Sequence, residues 1–524
     1  TGVFPCRIHV LSTVDVTPMK LRINGIEREY RYYPNIPPNM TPEQAETAFN
    51  DTVNMDNSFL DAIKGDYDGD QISHRAAFSV EANEETEAIM TSKKHYIDCQ
   101  GKMTRTLGIE AILCLYSMTQ TFSKKAKPAN AHAIAEILNT DYHDIGVKKL
   151  TEWFGYVTDM DTKKIREPKY IVYDTVKLGP KQYTNQQAVD TTLGMLAFNK
   201  ICIEPYIVKI IPNGYWNTPL DKKGIGKLFD HVANELKYDR ITTEELWPWL
   251  KAIQFYGYKA TTIFSSSTTE LTITPDKEIV AKRDKFFKEN PNANINDIGR
   301  LEDELTSMLQ ERVDNDTSRT LFGSGAKAKT EDQLKSINTM IGPVYNPQTG
   351  QFDVIKNSFM EGFTKEDIPK AGNMVVSASY PKSVGTADAG YITKQFYAIY
   401  GGVKVAPIGT DCHTKSYLNL TYTEDDWKSL EGQNVMIDET HYETVTEKNY
   451  KKFINRPIKV RSAMCCTSPD VCSVCAGNRP YEMDMANIGI TFATVPNTFV
   501  NAGMKKFHVS KVKLVPADID KLFI

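Results

Sequence analysis

The segment KGDYDGDQ, residues 64–71, constrains this chain more than any other. Asp66, Asp68 and Asp70 alternate there with Tyr67 and Gly69. Three carboxylates so spaced in a tight loop repel one another at neutral pH, and without a cation at least one would have to take up a proton. A hard divalent ion such as Mg2+ removes the conflict, because it prefers oxygen ligands. Gly69 lets the backbone bend until all three side chains point inward. A twelve-residue calcium loop starting at Asp66 would need Gly at position 71 and Glu at position 77, where the chain has Gln71 and Ala77. A solvated acidic turn is the remaining alternative.

Cysteine usage gives the second constraint. The nine cysteines are Cys6, Cys99, Cys114, Cys202, Cys412, Cys465, Cys466, Cys472 and Cys475, too few and too unevenly spread for a secreted disulfide framework. Four crowd into CCTSPDVCSVC, with six residues between Cys465 and Cys472 and two between Cys472 and Cys475. Two thiolates separated by two residues can bite one tetrahedral Zn2+. Cys412 is the nearest upstream cysteine for the fourth position, with His413 and His441 as rivals. Cys466 could replace Cys465 if the backbone shifted. A zinc ion with all four positions filled by protein is structural, not catalytic.

At 524 residues the chain is long enough for three or four units. Hydrophobic content of 41% and charged content of 24% are those of an ordinary globular chain. No apolar run approaches the ~18 residues of a membrane span. Residue 1 is Thr with no leader behind it, so the expectation is a start inside a longer product or after processing. With 62 Lys+Arg against 66 Asp+Glu, the net charge of -4 excludes a general basic coat for nucleic acid but not local basic channels.

Residues 1–80 read as strand-rich, with a hairpin signal at Asn24-Gly25. The segment from Ser79 reads as a helix capped by that serine, with acids in the first turn. Ala131, Ile134, Ala135 and Leu138 predict a helical stripe, as do Ile298, Leu301, Leu305 and Met308, both ordinary core packing. Polar turns are expected at 292–296 and 346–350. GSGAKAKT, residues 323–330, fails the spacing of a phosphate loop. Lys451, Lys452, Arg456, Lys459 and Arg461 are expected to form a solvated face.

The acidic loop and the helix after it closely resemble the catalytic loop and following helix of the largest (β′) subunit of multisubunit DNA-dependent RNA polymerases. The resemblance continues in order. DVTPMKLRINGIEREYRYYPNI resembles the barrel strands before the loop. SGAKAK and QLKSINTMIGPVYNPQTG resemble the segments lining the secondary channel. NSFMEGFTKEDI and KSVGTADAGYITKQF resemble the approach to the bridge helix and its C-terminal half. Cys412, Cys465, Cys472 and Cys475 match the family's zinc site, and ATVPNTFVNAGMKKFHVSK resembles the first half of the trigger loop.

That resemblance implies an α+β multidomain chain. A double-psi β-barrel would occupy 1–105, a helical funnel or secondary-channel region 106–345, the bridge helix 346–405, the zinc segment 406–490 and half a trigger loop 491–524. Asp66, Asp68 and Asp70 would hold Mg2+ for two-metal nucleotidyl transfer. Thr386 and Ala387 would face the new base pair, and Lys327 would contact triphosphate. Met504, with Lys505 beside it, would lie against the incoming nucleotide. His508, four residues on, would act near the phosphates as a proton donor or charge stabiliser. Implied partners are β-type subunits, further β′ fragments supplying clamp and trigger remainder, a sigma-like factor, DNA template, RNA product and nucleoside triphosphates, with no membrane.

Departures point in one direction. The Asn usual before the first catalytic Asp is Lys64, the bridge helix start is replaced by NMVVSASYPKS, and expected arginines are Lys394, Gln395 and Lys505. Pro381 implies a kink or a late helix start. Only 16 residues follow His508, so the returning half of the trigger hairpin is expected on a second polypeptide. Divergence and splitting together resemble the polymerases of giant bacteriophages, which act inside the infected bacterium and in some cases travel in the virion. Two alternatives stand beside this reading: an RNA-templated polymerase of the RNA-silencing type, and a non-catalytic scaffold. The zinc cysteines and trigger segment argue against the first, and the intact aspartate triplet against the second.

Overall fold

The computed structural model describes residues 3–5, 58, 60, 74–76, 78–98, 101–122, 124–158, 162–180, 188–264, 268–326, 329–380, 384, 386–424, 426–483, 485, 487–489, 492–493, 497 and 500. Asp66, Asp68, Asp70, Lys327, Met504, Lys505 and His508 lie outside them, as do Lys64, Pro381 and most of the expected barrel. The chain divides into two compact units, one of Thr1–Glu270 with Arg312–Lys329, the other of Leu271–Glu311 with Thr330–Ile524.

In the first unit, β1 (Val3–Pro5) pairs antiparallel with β2 (His74–Ala76), Val3 opposite Ala76. Helix α1 (Val80–Thr91) starts where the capping signal placed it, with Ser79 Oγ accepting from the Ala82 amide at 3.1 Å. The core is built on α2 (Ile109–Thr119), α3 (Ala131–Asn139), α4 (Val147–Phe154), α5 (Leu193–Phe198), α6 (Lys222–Lys237) and α7 (Thr243–Lys259). A two-stranded ladder of β3 (Thr175–Leu178) and β4 (Val189–Thr192) leads into α5. On α6, Ile225, Leu228, Phe229, Val232 and Leu236 recur three and four apart and are all buried. Helices α2 and α7 cross closely because Gly257 has no side chain: a Cβ there would stand 2.7 Å from that of Ala111.

One sequence expectation shifts here. On α3 the buried residues are Ala133 and Ile137, not the stripe through Ala131 and Ala135, which are exposed. The rotation turns Glu136 inward, where its carboxylate accepts from Trp153 Nε1 at 3.0 Å, from Lys169 Nζ at 2.7 Å and from the Tyr170 hydroxyl. The core also holds a buried polar residue. Asn199, at the start of a π-helical turn after α5, bonds the amide and carbonyl of Trp216 at 2.8 and 2.7 Å, satisfying itself inside the core.

The second unit opens with α8 (Lys277–Glu289), capped by Asp276, and α9 (Ile295–Asp314), whose last three residues belong to the first unit. Ile298, Leu301 and Leu305 are buried as the stripe predicts, and the next turn uses Leu309 where Met308 was expected. Arg283 on α8, 2% exposed, forks onto Glu361 at 2.5 and 2.8 Å and caps the Thr339 carbonyl at 2.8 Å. The hairpin of β5 (Gly342–Asn346) and β6 (Gln351–Ile355) turns at the polar segment read from sequence, with Gly350 at φ 68°. Helix α10 (Asp367–Tyr380) ends just before Pro381, and α11 (Thr386–Tyr400) follows it. A four-stranded antiparallel sheet completes the unit: β7 (Leu418–Thr421), β8 (Asn434–Met436), β9 (Tyr442–Thr444) and β10 (Pro457–Val460), in the spatial order β9-β8-β10-β7. No helix among the described residues is long and apolar enough to cross a membrane.

Candidate metal centre

Strand periodicity builds this site. Val435 on β8 faces Val460 on β10, and both bury into a core with Leu430, Val445, Phe453 and Ile458. Alternation then sends Asn434 and Arg461, one residue along, to the other face. Asn434 Nδ2 donates to the Val474 carbonyl at 2.8 Å, and its Oδ1 accepts from Thr444 Oγ1 at 2.6 Å. This pins the segment carrying Cys472 and Cys475 onto the sheet. That segment is a single helical turn, Ser473–Ala476, closed by Gly477 at φ 73°. A Cβ on Gly477 would lie 2.4 Å from the Gly432 carbonyl oxygen, so only glycine fits. Ser473 Oγ donates to the Thr410 carbonyl at 2.9 Å, and Thr410 Oγ1 accepts from the Ser473 amide at 3.0 Å. The loop bearing Cys412 is thereby tied to the same turn.

The sulfurs of Cys412, Cys466, Cys472 and Cys475 lie within 4.8 Å of one another. Cys412 and Cys475 are 3.7 Å apart. A tetrahedral zinc with Zn–S near 2.3 Å has S–S edges of about 3.8 Å, so the donor set fits Zn2+ in both chemistry and spacing. Burial pushes the thiols of Cys472 and Cys475 up. Burial also works to raise Cys412, but amide donation from Thr467 and Thr414 outweighs it and brings that thiol down to about 6. A divalent ion takes the place of protons that such a crowd of thiols otherwise keeps.

The sulfur cluster takes in Cys466 where Cys465 was expected. Residues Ala463–Cys465 form a tight turn capped by Ser462 Oγ, and Cys466 is the first extended residue after it. Its sulfur accepts from the Cys472 amide at 3.4 Å, and Cys465 is not part of the cluster. The two histidine rivals also stand apart. The His413 side chain is 87% exposed and turns to Asp411, and His441 pairs with Asp438 on the surface. Arg461, grouped from sequence with a solvated basic face, is 3% exposed and lies against two of the sulfurs. Lys459 has the same strand parity and is exposed, so what sets Arg461 apart is its place just past β10, under the Cys412 loop and the Cys472–Cys475 turn.

Of the other expected site residues, Thr386 is the first residue of α11 and Ala387, in its first turn, is exposed. The remainder fall outside the described residues.

Four thiols gather around one position beside an antiparallel sheet, a set that could hold a metal ion. The chain as a whole is similar to β′ subunits of bacterial DNA-directed RNA polymerase. It is 22% identical to that of Rhodococcus jostii (strain RHA1) over 82% of the chain and 35% of the relative. The figures are 22%, 86% and 39% for Pelotomaculum thermopropionicum, and 23%, 82% and 34% for Saccharopolyspora erythraea. The chain therefore spans little more than a third of the length of these curated relatives. No family model matches it. The similarity supports a β′-type subunit of a multisubunit RNA polymerase.

Proposed function

We propose that this chain is the catalytic β′-type part of a DNA-dependent RNA polymerase, extending RNA 3′ ends from nucleoside triphosphates. The observation that carries this reading is similarity to β′ subunits across more than four fifths of the chain. The alternating Asp66, Asp68 and Asp70 and the four-sulfur cluster support it independently. In this reading the three aspartates hold Mg2+, which supplies Lewis-acid activation of the RNA 3′-hydroxyl and charge neutralisation on the triphosphate. Ala387 and Thr386 leave room for the templated base pair. Lys327 and Lys505 attract the triphosphate, Met504 lies against the base, and His508 donates a proton or stabilises charge. Cys412, Cys466, Cys472 and Cys475 hold Zn2+ for structure alone.

Partners in this proposal are β-type subunits, further β′ polypeptides and a sigma-like factor. Lys64, NMVVSASYPKS and the missing arginines motivate the finer reading of a divided enzyme of a giant bacteriophage, working in the host cytoplasm. The test is Asp68→Ala in the purified complex. Removing one carboxylate costs the metal a ligand but relieves repulsion, so subunit co-purification is expected to persist while templated RNA synthesis falls below detection. An assembled Asp68→Ala complex that transcribes normally would overturn the site.

A further inference from the structure

The guanidinium of Arg461 sits where the metal centre has most need of a cation. Four thiolates on one divalent ion carry a net charge of about -2, and taking such charge out of water costs several kcal/mol per ion unless it is compensated. Arg461 supplies a cation against two of these sulfurs. Its Nη2 lies 3.3 Å from Cys475 Sγ and 3.5 Å from Cys412 Sγ. The same nitrogen donates to Asp411 Oδ1 at 2.5 Å. Asp411 is the residue before Cys412, and its Oδ1 also accepts from the His413 amide at 2.9 Å. The carboxylate therefore belongs to the ligand loop and holds the guanidinium against it.

The Arg461 backbone is fixed as well. Its amide donates to the Asn434 carbonyl at 2.8 Å, continuing the β8–β10 ladder. One residue thus joins the sheet to the Cys412 loop and the Cys472–Cys475 turn, which carry three of the four sulfurs. The buried guanidinium has little else to do there, since its Nε makes no hydrogen bond.

We propose that Arg461, oriented by Asp411, is the positioning residue of the metal centre. It donates N–H to the sulfurs of Cys412 and Cys475, offsets their charge and slows metal loss. N–H donation withdraws electron density from a thiolate sulfur. It makes that sulfur a poorer target for protons and electrophiles and moves sulfur-to-metal charge transfer to higher energy. This inference rests on the metal reading of the four cysteines.

The test uses the full chain in its native complex, loaded with zinc, and a second preparation loaded with Co2+. Zinc transfer to a chromophoric chelator is timed for wild type, Arg461→Met, Arg461→Lys and Asp411→Asn. Arg461→Met keeps the length and apolar stem but loses every donor. It is expected to weaken zinc retention about 10–100-fold, the usual effect of removing an outer partner of a metal ligand. Its Co2+ charge-transfer band should move to longer wavelength. Arg461→Lys should recover part of both effects, and Asp411→Asn should show a smaller loss in the same direction. Zinc-loaded Arg461→Met with wild-type release and an unshifted band overturns the proposal. If Arg461→Met does not fold, Asp411→Asn with unchanged release and an unshifted band overturns it equally. Wild-type protein without stoichiometric zinc removes both this inference and the metal centre beneath it.

Discussion

Adjacent residues in an extended chain send their side chains to opposite sides, so Cys465 and Cys466 cannot share one tetrahedral site without contorting the backbone between them. The turn Ala463–Cys465 settles which sulfur faces inward, because Cys466 leaves the turn extended with its sulfur on the Cys472 amide. Cys466→Ser is therefore expected to remove most of the bound zinc, while Cys465→Ser keeps about one zinc per chain. Elemental analysis of the two variants checks this, and zinc loss on Cys465→Ser alone would reverse the assignment. Sequence named Cys412, Cys472 and Cys475, three of the four clustered cysteines. Spacing could not separate two neighbouring cysteines, since the deciding variable is the handedness of one turn. Arg461 was hidden for a related reason: its neighbours Lys451, Lys452, Arg456 and Lys459 have the same charge, Lys459 has the same strand parity, and only the Cys412 loop and the Cys472–Cys475 turn, brought in by the fold, cover Arg461.

Helix boundaries were more legible than helix faces. Ser79 was read as a cap from local chemistry alone and caps its helix through a side-chain oxygen; Asn130 and Asp276, not singled out in the sequence, do the same for theirs. Which face is buried depends on partners distant in sequence. On α3 the tertiary pull is the indole of Trp153, fully buried, whose Nε1 needs an acceptor and finds Glu136. Partial burial works to raise Glu136, but donation from Lys169, Tyr170, Trp153 and Lys149 outweighs it and holds the carboxyl well below the ordinary range. A depressed folded-state value means stability that is complete above the unfolded carboxylate's pKa of about 4.3 and is lost as pH falls below it. Glu136→Ala is expected to cost about 2 kcal/mol at neutral pH, because it leaves a buried indole N–H without an acceptor. Amide hydrogen exchange along α3 should speed up roughly thirtyfold, and the difference from wild type should narrow in acid. Unchanged protection of α3 in the variant would show that the cluster contributes nothing net.

At the scale of the molecule, charge and division matter more than any single contact. The two units are not cut by one point in the sequence, since Arg312–Lys329 returns to the first unit after Leu271–Glu311 has joined the second. In the first unit Arg319 lies over the Phe122 ring and donates to the Thr121 carbonyl at 3.0 Å, so the returning segment is bound in rather than appended. Length alone could not reveal this interleaving, because a domain count assumes contiguous units. The net charge of -4 bears directly on function. Nucleic-acid affinity comes mainly from cations that displace counterions from phosphates, and this chain has no surplus of them. A polymerase must hold template and product through many additions. In the proposed reading, the holding force for this chain would come from local basic surfaces combined with cationic surfaces of partner subunits. The purified chain alone is therefore expected to bind a primed template weakly at physiological salt and to make no RNA, while the complete complex does both. Gel-shift and primer-extension assays on the chain, with and without its co-purifying partners, separate the cases. Templated extension by the chain alone, lost in Asp68→Ala, would keep the catalytic reading and discard the dependence on partners.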